Sequence, residues 1–163
     1  MDIEIGQIKD GFVFTEEIFQ AISNEKNLSH RSKKEIAKEI NRGNLYAVKS
    51  GKKLISFAFV SPLNHAYDEI NAVYTVPEMR GQGYYSQLLN YLLKKNKKNL
   101  IAVAFRDYSI KIFLKHDFKE IAFFRLPFMV KIPFIIKRLK IKRLRSIIKF
   151  CRQSKPRYLL FKK

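Results

Sequence analysis

The chain has 163 residues, 47% of them hydrophobic, which suits one domain with its own core and excludes a wholly disordered protein. Its 33 Lys/Arg against 14 Asp/Glu give a formal +19, and the excess is local: residues 1–124 hold 19 basic and 14 acidic side chains, whereas residues 125–163 hold 14 basic and none acidic. A single cysteine, Cys151, excludes an internal disulfide and suits a reducing cytoplasm; the start, MDIEIGQIKDG, does not read as a secretory signal, and no apolar run approaches the ~20 residues of a membrane span.

Ile3, Ile5 and Ile8 alternate with polar residues as a first strand does, and Thr15 and Glu17 lead into a helix carrying Ile18, Phe19 and Ile22. A polar interval, 23–29, separates it from a second helix. There Ser32, followed three residues on by Glu35, is a capping box, and Ile36, Ala37 and Ile40 form an apolar stripe that Gly43 stops. Residues 45–48 and 54–60 flank Lys49-Ser50-Gly51-Lys52-Lys53 as a hairpin. The next strand, 70–76, ends at Pro77, which cannot donate to a sheet ladder and holds Val76 extended.

Gly81 and Gly83 follow, ahead of a helix over 84–95 whose Tyr84, Leu88, Leu89, Leu92 and Leu93 fall on one side. Glycines permit unusual backbone angles and close approach of a ligand. The amides of Gln82, Gly83, Tyr84, Tyr85 and Ser86, at the helix start, make a ready phosphate site. No G-K-[ST] follows, which excludes a P-loop, and a dinucleotide fingerprint lacks its third glycine and downstream acid.

With Arg80 three residues before Gly83, the turn reads R-G-Q-G after a strand and before a helix. It resembles the pyrophosphate-binding motif of the GNAT superfamily of acyl-coenzyme A N-acyltransferases, R/Q-x-x-G-x-G/A. Tyr85 stands where that motif usually has Gly or Ala. The approach through Pro77, Glu78 and Arg80 is similar to the family's V-x-P-x-x-R-G-x-G, with Thr75 at its valine. The resemblance implies acetyl-CoA as acyl donor, bound along Tyr74, Thr75, Val76 and the segment from Arg80 to Ser86. The amides around Tyr74, Thr75 and Val76 would hold the thioester oxygen.

The remaining elements are a strand over 100–105, a short helix over 109–115 and closing strands over 118–124 and 157–161. This β-α-α-β-β-β-α-β-α-β order with a final strand is that of the GNAT fold. The expected class is α+β, a mixed and mostly antiparallel central sheet flanked by helices, in one domain with a basic amphipathic insertion before the last strand. The segment RDYSIKIFLKHDFKE is similar to the family's N-x-x-A-x-x-F-Y-x-K-x-G-F element. Aligned on Phe118, it puts Phe113 at the usual tyrosine and Asp117 at the usual glycine, a mild exchange because Asp tolerates left-handed geometry. The other exchange matters more, since that tyrosine often protonates the departing thiolate.

Acetyl transfer to an amine needs a neutral nitrogen, and a lysine-like amine is about 99.9% protonated at neutral pH. Resembling enzymes often place the acid that takes this proton on the strand before the glycine turn. Here that strand offers Asp68 and Glu69, on opposite faces by alternation, of which Glu69 is preferred as base. Tyr108 is the phenol nearest in sequence to Phe113 and the preferred proton donor, with Tyr84, Tyr85 and His116 as further options. His30, His65, His116 and Cys151 show no metal-ligand spacing, so no metal site is expected.

Residues 126–155 depart from the family core. After Pro133, Ile135, Ile136, Leu139, Leu144, Ile147, Ile148 and Cys151 fall at near-helical intervals, with Lys and Arg elsewhere around the helix. Packing on the domain or on a second subunit as a homodimer, nucleic acid, and an anionic membrane are the partners such a face over 131–152 fits. The functional expectation is an acetyl-CoA-dependent N-acetyltransferase acting on an amine acceptor; its competitor is a CoA-fold module whose basic region binds nucleic acid or membrane.

Overall fold

The computed structural model describes residues 2–9, 11–25, 28, 31–138 and 155–163. In chain order it contains β1 (Glu4–Ile8), α1 (Gly11–Asn24), α2 (Lys33–Asn41), β2 (Leu45–Ser50), β3 (Lys53–Pro62), β4 (Tyr67–Thr75), α3 (Tyr84–Lys95), β5 (Asn99–Ala104), α4 (Asp107–Lys115), β6 (Lys119–Ile121), α5 (Phe128–Arg138) and β7 (Arg157–Phe161). The sheet order is β1-β2-β3-β4-β5-β7-β6. Pairing is antiparallel at β1–β2, β2–β3, β5–β7 and β6–β7, and parallel at β4–β5. This is the mixed, mostly antiparallel α+β architecture that the element order implies. The chain divides into two units, Met1–Ser61 with Asn71–Asn96, and Pro62–Ile70 with Lys97–Lys163.

In the first unit, α1 and α2 bury Ile18, Ile22, Ile36 and Ile40 against Leu45, Phe57 and Phe59 of β2 and β3. Complete burial of one such side chain contributes about 1.5–3 kcal/mol. Helix α1 starts at Gly11, ahead of the expected Thr15, because Phe14 is already buried and extends the Ile18, Ile22 stripe back by one turn. The capping box is formed: Ser32 Oγ accepts from the Glu35 amide at 3.2 Å, and Glu35 Oε2 accepts from the Ser32 amide at 3.1 Å. The hairpin turn is tighter than expected, since only Gly51 and Lys52 lie outside the strands, with Gly51 at φ 56°.

Strand β4 begins at Tyr67, three residues before the expected start, so Asp68 and Glu69 lie within it. Its ladder with β5 runs over Tyr67–Ile70 and Asn99–Ala102. Ala72, in the first unit, adopts φ 47°, left-handed geometry that an alanine takes at a cost of about 1–2 kcal/mol.

In the second unit, Leu63, Ile101, Leu126, Val130 and Phe134 form one buried cluster, with Tyr67, Phe123 and Tyr158 packed on it. Helix α4 ends in a Schellman cap. The Phe118 amide donates to Phe113 O at 3.2 Å and the Asp117 amide to Leu114 O at 3.3 Å, around Asp117 at φ 63°, the left-handed role expected of it. The Phe113 and Phe118 rings meet edge to face at 4.9 Å.

Strand β6 is shorter than the expected 118–124. Phe118 is taken by that cap, and Phe123 leaves the ladder in a single 3-10 turn to pack 5.2 Å from Tyr158. Helix α5 starts at Phe128 and contains Pro133, where the sequence suggested a start after the proline. Cys151, His30 and the part of the expected basic helix beyond residue 138 lie outside the described residues.

Candidate functional site

The end of β4 is held from the sheet side. The buried Ser56 hydroxyl donates to Tyr74 O at 2.9 Å, and it lies 2.9 Å from Thr75 Oγ1. A hydroxyl has one proton to give, so Thr75 Oγ1 is the donor of that second bond. The Val76 amide donates to Ile55 O at 2.9 Å, which commits it to the sheet and takes it from the set of amides expected to hold a thioester oxygen. The Tyr74 ring packs 5.4 Å from Phe57; burial raises its phenol pKa, against the opposing pull of Arg80.

Pro77–Met79 then make a 3-10 turn that brings Arg80 back to the strand end. Arg80 Nε donates to Thr75 O at 3.0 Å, Nη2 pairs with Glu25 at 2.8 Å, and the guanidinium stands 5.7 Å from the Tyr74 ring centroid. One planar fork thus ties the strand end to the segment after α1. Its charge is shared with Glu25, which sequence spacing could not reveal across 55 positions.

Gly81 and Gly83 have φ 82° and 81°, and a Cβ on either would meet nothing within 4 Å. The requirement for glycine is therefore conformational on the protein side, and the space above the turn is open. Gly83 caps α3 without any side-chain bond, and the first intrahelical bond of α3 runs from the Gln87 amide to Gly83 O at 3.0 Å. Amides before Gln87 must find acceptors outside the helix, at the end where its dipole is positive. The chemistry of this donor set fits a phosphate group.

Gln82 Nε2 braces the turn by donating to Glu78 O at 3.2 Å. The buried face of α3 is Tyr85, Leu88, Leu89 and Leu92, so Tyr85 replaces Tyr84 in the expected stripe. Burial drives the Tyr85 phenol pKa far up and keeps it neutral. What Tyr85 brings to the helix start is its backbone, as does Ser86, whose side chain is half-buried like that of Tyr84.

The candidate acid–base residues belong to the second unit. Asp68 pairs with Lys98 at 3.1 Å. Glu69, on the other face of the strand, is only 4% exposed, an uncommon placement for a carboxyl group. Tyr108, in the first turn of α4, is 61% exposed. Phe113 is buried in the Schellman cap, so its replacement of a phenol serves packing. His116 caps α4, and burial lowers its pKa against the opposing charge of Asp117, which favours the neutral imidazole.

A polar network in the first unit carried no sequence signal. The buried Arg31 guanidinium lies 4.8 Å above the Phe59 ring and donates to Asn71 Oδ1. Asn71 Nδ2 donates to Ser61 Oγ at 3.3 Å; Ser61 Oγ and Asn44 Nδ2 donate to Glu39 Oε2 at 2.8 and 2.9 Å. Burial raises the Glu39 pKa, but these bonds and the charges of Arg31 and Arg42 outweigh it and hold the carboxyl below its ordinary range. Among the described residues, no group of three His, Cys, Asp or Glu could hold a metal ion.

The sequence matches the family model described as Acetyltransferase (GNAT) family over residues 13–126. No curated protein matches it. Among solved structures it is similar to Rv2747 from Mycobacterium tuberculosis in complex with CoA and NLQ, at 14% identity over 98% of this chain and 99% of that one, with a TM-score of 0.74. It is similar to an acetyltransferase of the GNAT family from Bacillus cereus ATCC 10987, at 14% identity over 100% and 99%, TM-score 0.66. It is also similar to N-acetylglutamate synthase from Neisseria gonorrhoeae complexed with coenzyme A and N-acetyl-glutamate, at 16% identity over 99% of this chain but 35% of that one, TM-score 0.70. At these identities the likeness is one of fold.

Proposed function

The chain belongs to the GNAT acetyltransferase family, and from that membership we propose that it moves an acetyl group from acetyl-CoA to the nitrogen of an amine acceptor by direct attack. The observation that carries the donor half is the turn at Arg80–Gly83: two left-handed glycines, open space around them, and a helix whose first intrahelical bond comes only from the Gln87 amide. On this reading the amides from Gly81 to Ser86 hold the donor's pyrophosphate, and Arg80 keeps the turn in shape.

The donor supplies a thioester, an acetyl group already activated for transfer. As the nitrogen–carbon bond forms and the carbon–sulfur bond breaks, the amine loses a proton and the sulfur gains one. We assign the first to Glu69 and the second to Tyr108. The Tyr74 and Thr75 amides are the remaining candidates for stabilising the carbonyl oxygen, once that of Val76 is committed to Ile55.

Titration of the purified protein with acetyl-CoA, followed by thiol release with a panel of amines, tests the reading. Heat of binding and amine-dependent thiol release support it; no binding, with Gly83→Glu indistinguishable from wild type, overturns it. Phe113 favours a second reading, a CoA-binding module with little or no turnover, because the buried ring has no proton to give. Donor binding without thiol release for any amine would support that reading.

A further inference from the structure

Helix α5 is apolar on two opposite sides. Val130 and Phe134 face inward, buried with Leu126, Leu63 and Ile101. At about 100° per residue, Phe128, Met129, Ile132, Ile135 and Ile136 occupy an arc of roughly 120° on the reverse side. All five are exposed, Phe128 at 73% and Ile136 at 61%. A helix with two apolar sides normally buries both. This one is also tied to another segment, since the Asn64 side chain holds the Met129 carbonyl at 2.8 Å.

We propose that this outer face of α5 docks on an anionic membrane surface, with the helix lying in the interface plane. Two observations together choose lipid: charge disfavours a second, equally basic copy of this chain, and the apolar side chains disfavour nucleic acid. The first is charge: residues 125–163 carry 14 Lys/Arg and no acidic side chain, complementary to anionic headgroups. The second is the chemistry of the exposed side chains. Isoleucine and methionine have no use in a phosphate-binding face, which needs cations and stacking rings, whereas they enter the acyl boundary of a bilayer. Phe124, 73% exposed beside the start of α5 with the Arg125 guanidinium 5.8 Å from its ring, pairs apolar and cationic groups in the same way. Among the described residues no helix is long and apolar enough to cross a membrane.

The test is co-sedimentation of the full chain with vesicles of phosphatidylcholine alone or mixed with phosphatidylglycerol, beside the double variant Ile132→Ser/Ile136→Ser. Both residues are exposed, and the variant's thermal melt checks that it is folded. The expected result is binding to the anionic vesicles that weakens with salt, is slight on phosphatidylcholine alone, and falls about tenfold or more in the double variant. Absence of binding to anionic vesicles overturns the proposal. Binding that the double variant retains overturns it too, since cationic charge alone would then suffice, as it does for nucleic acid. So does a wild-type dimer that the double variant dissociates while neither form binds vesicles, which would make the face a contact between copies.

Discussion

The side-chain nitrogen of Asn64 donates at 2.8 Å to the carbonyl of Met129, the helical acceptor left vacant because Pro133, four residues on, has no amide hydrogen. The same side chain accepts from the Ala66 and Tyr67 amides, both at 2.9 Å. Asn64→Ala should therefore cost about 1–2 kcal/mol in urea unfolding. In a Pro133→Ala background the helix can supply its own donor to Met129. Asn64→Ala should then cost about 1 kcal/mol less than in wild type, a coupling that a double-mutant cycle reads directly.

Gly83→Ala should lose about 1 kcal/mol of stability through its left-handed φ. Gly51→Ala, at φ 56° in the β2–β3 turn, should lose a similar amount. Only the first should weaken acetyl-CoA binding, by about tenfold or more, in a calorimetric titration. Equal affinities for the two variants would separate the Gly83 turn from the donor.

Glu69→Gln should lower kcat by about 10²–10⁴-fold with a small change in KM, the range of a lost general base. Asp68→Asn removes the partner of Lys98 on the opposite face of the strand and should leave kcat within about twofold. Tyr108→Phe should reduce kcat while changing stability by no more than about 0.5 kcal/mol, because the ring is largely exposed. Steady-state kinetics beside thermal melts distinguishes these outcomes.

Glu39 gives a pH dependence whose sign follows from its environment. Its folded pKa lies below its unfolded value, about 4.3, so the folded state binds the proton less readily. The stabilisation is complete above the unfolded pKa and is lost as pH falls through the folded one. Urea midpoints should therefore drop below about pH 4 in wild type, and drop less steeply in Glu39→Gln.

Local rules made much of this fold legible. The Ser32–Glu35 box, the glycine turns and the left-handed Asp117 each rest on residues within a few positions of one another, and α3 and β7 end where periodicity put them. Long-range pairings were not legible. Nothing local to Glu25 indicates that Arg80 will claim it, and nothing in Val76 shows that Ile55 will take its amide. Pro133 misled for a related reason: the rule that proline starts or stops a helix assumes an unanswered carbonyl, and Asn64 answers it from 65 positions away. Alternation puts Asp68 and Glu69 on opposite faces, but that Glu69 is the buried one depends on what the fold stacks over its face.

Ala72 bears on which substitutions this chain tolerates. Valine and isoleucine are the residues strands favour, yet a β-branched side chain at φ 47° is strained far more than alanine, while glycine or asparagine enters cheaply. Redesigning the middle of β4 for strand propensity would load the backbone just ahead of Tyr74 and Thr75, whose oxygens Ser56 holds. The more strand-like sequence would make the poorer strand.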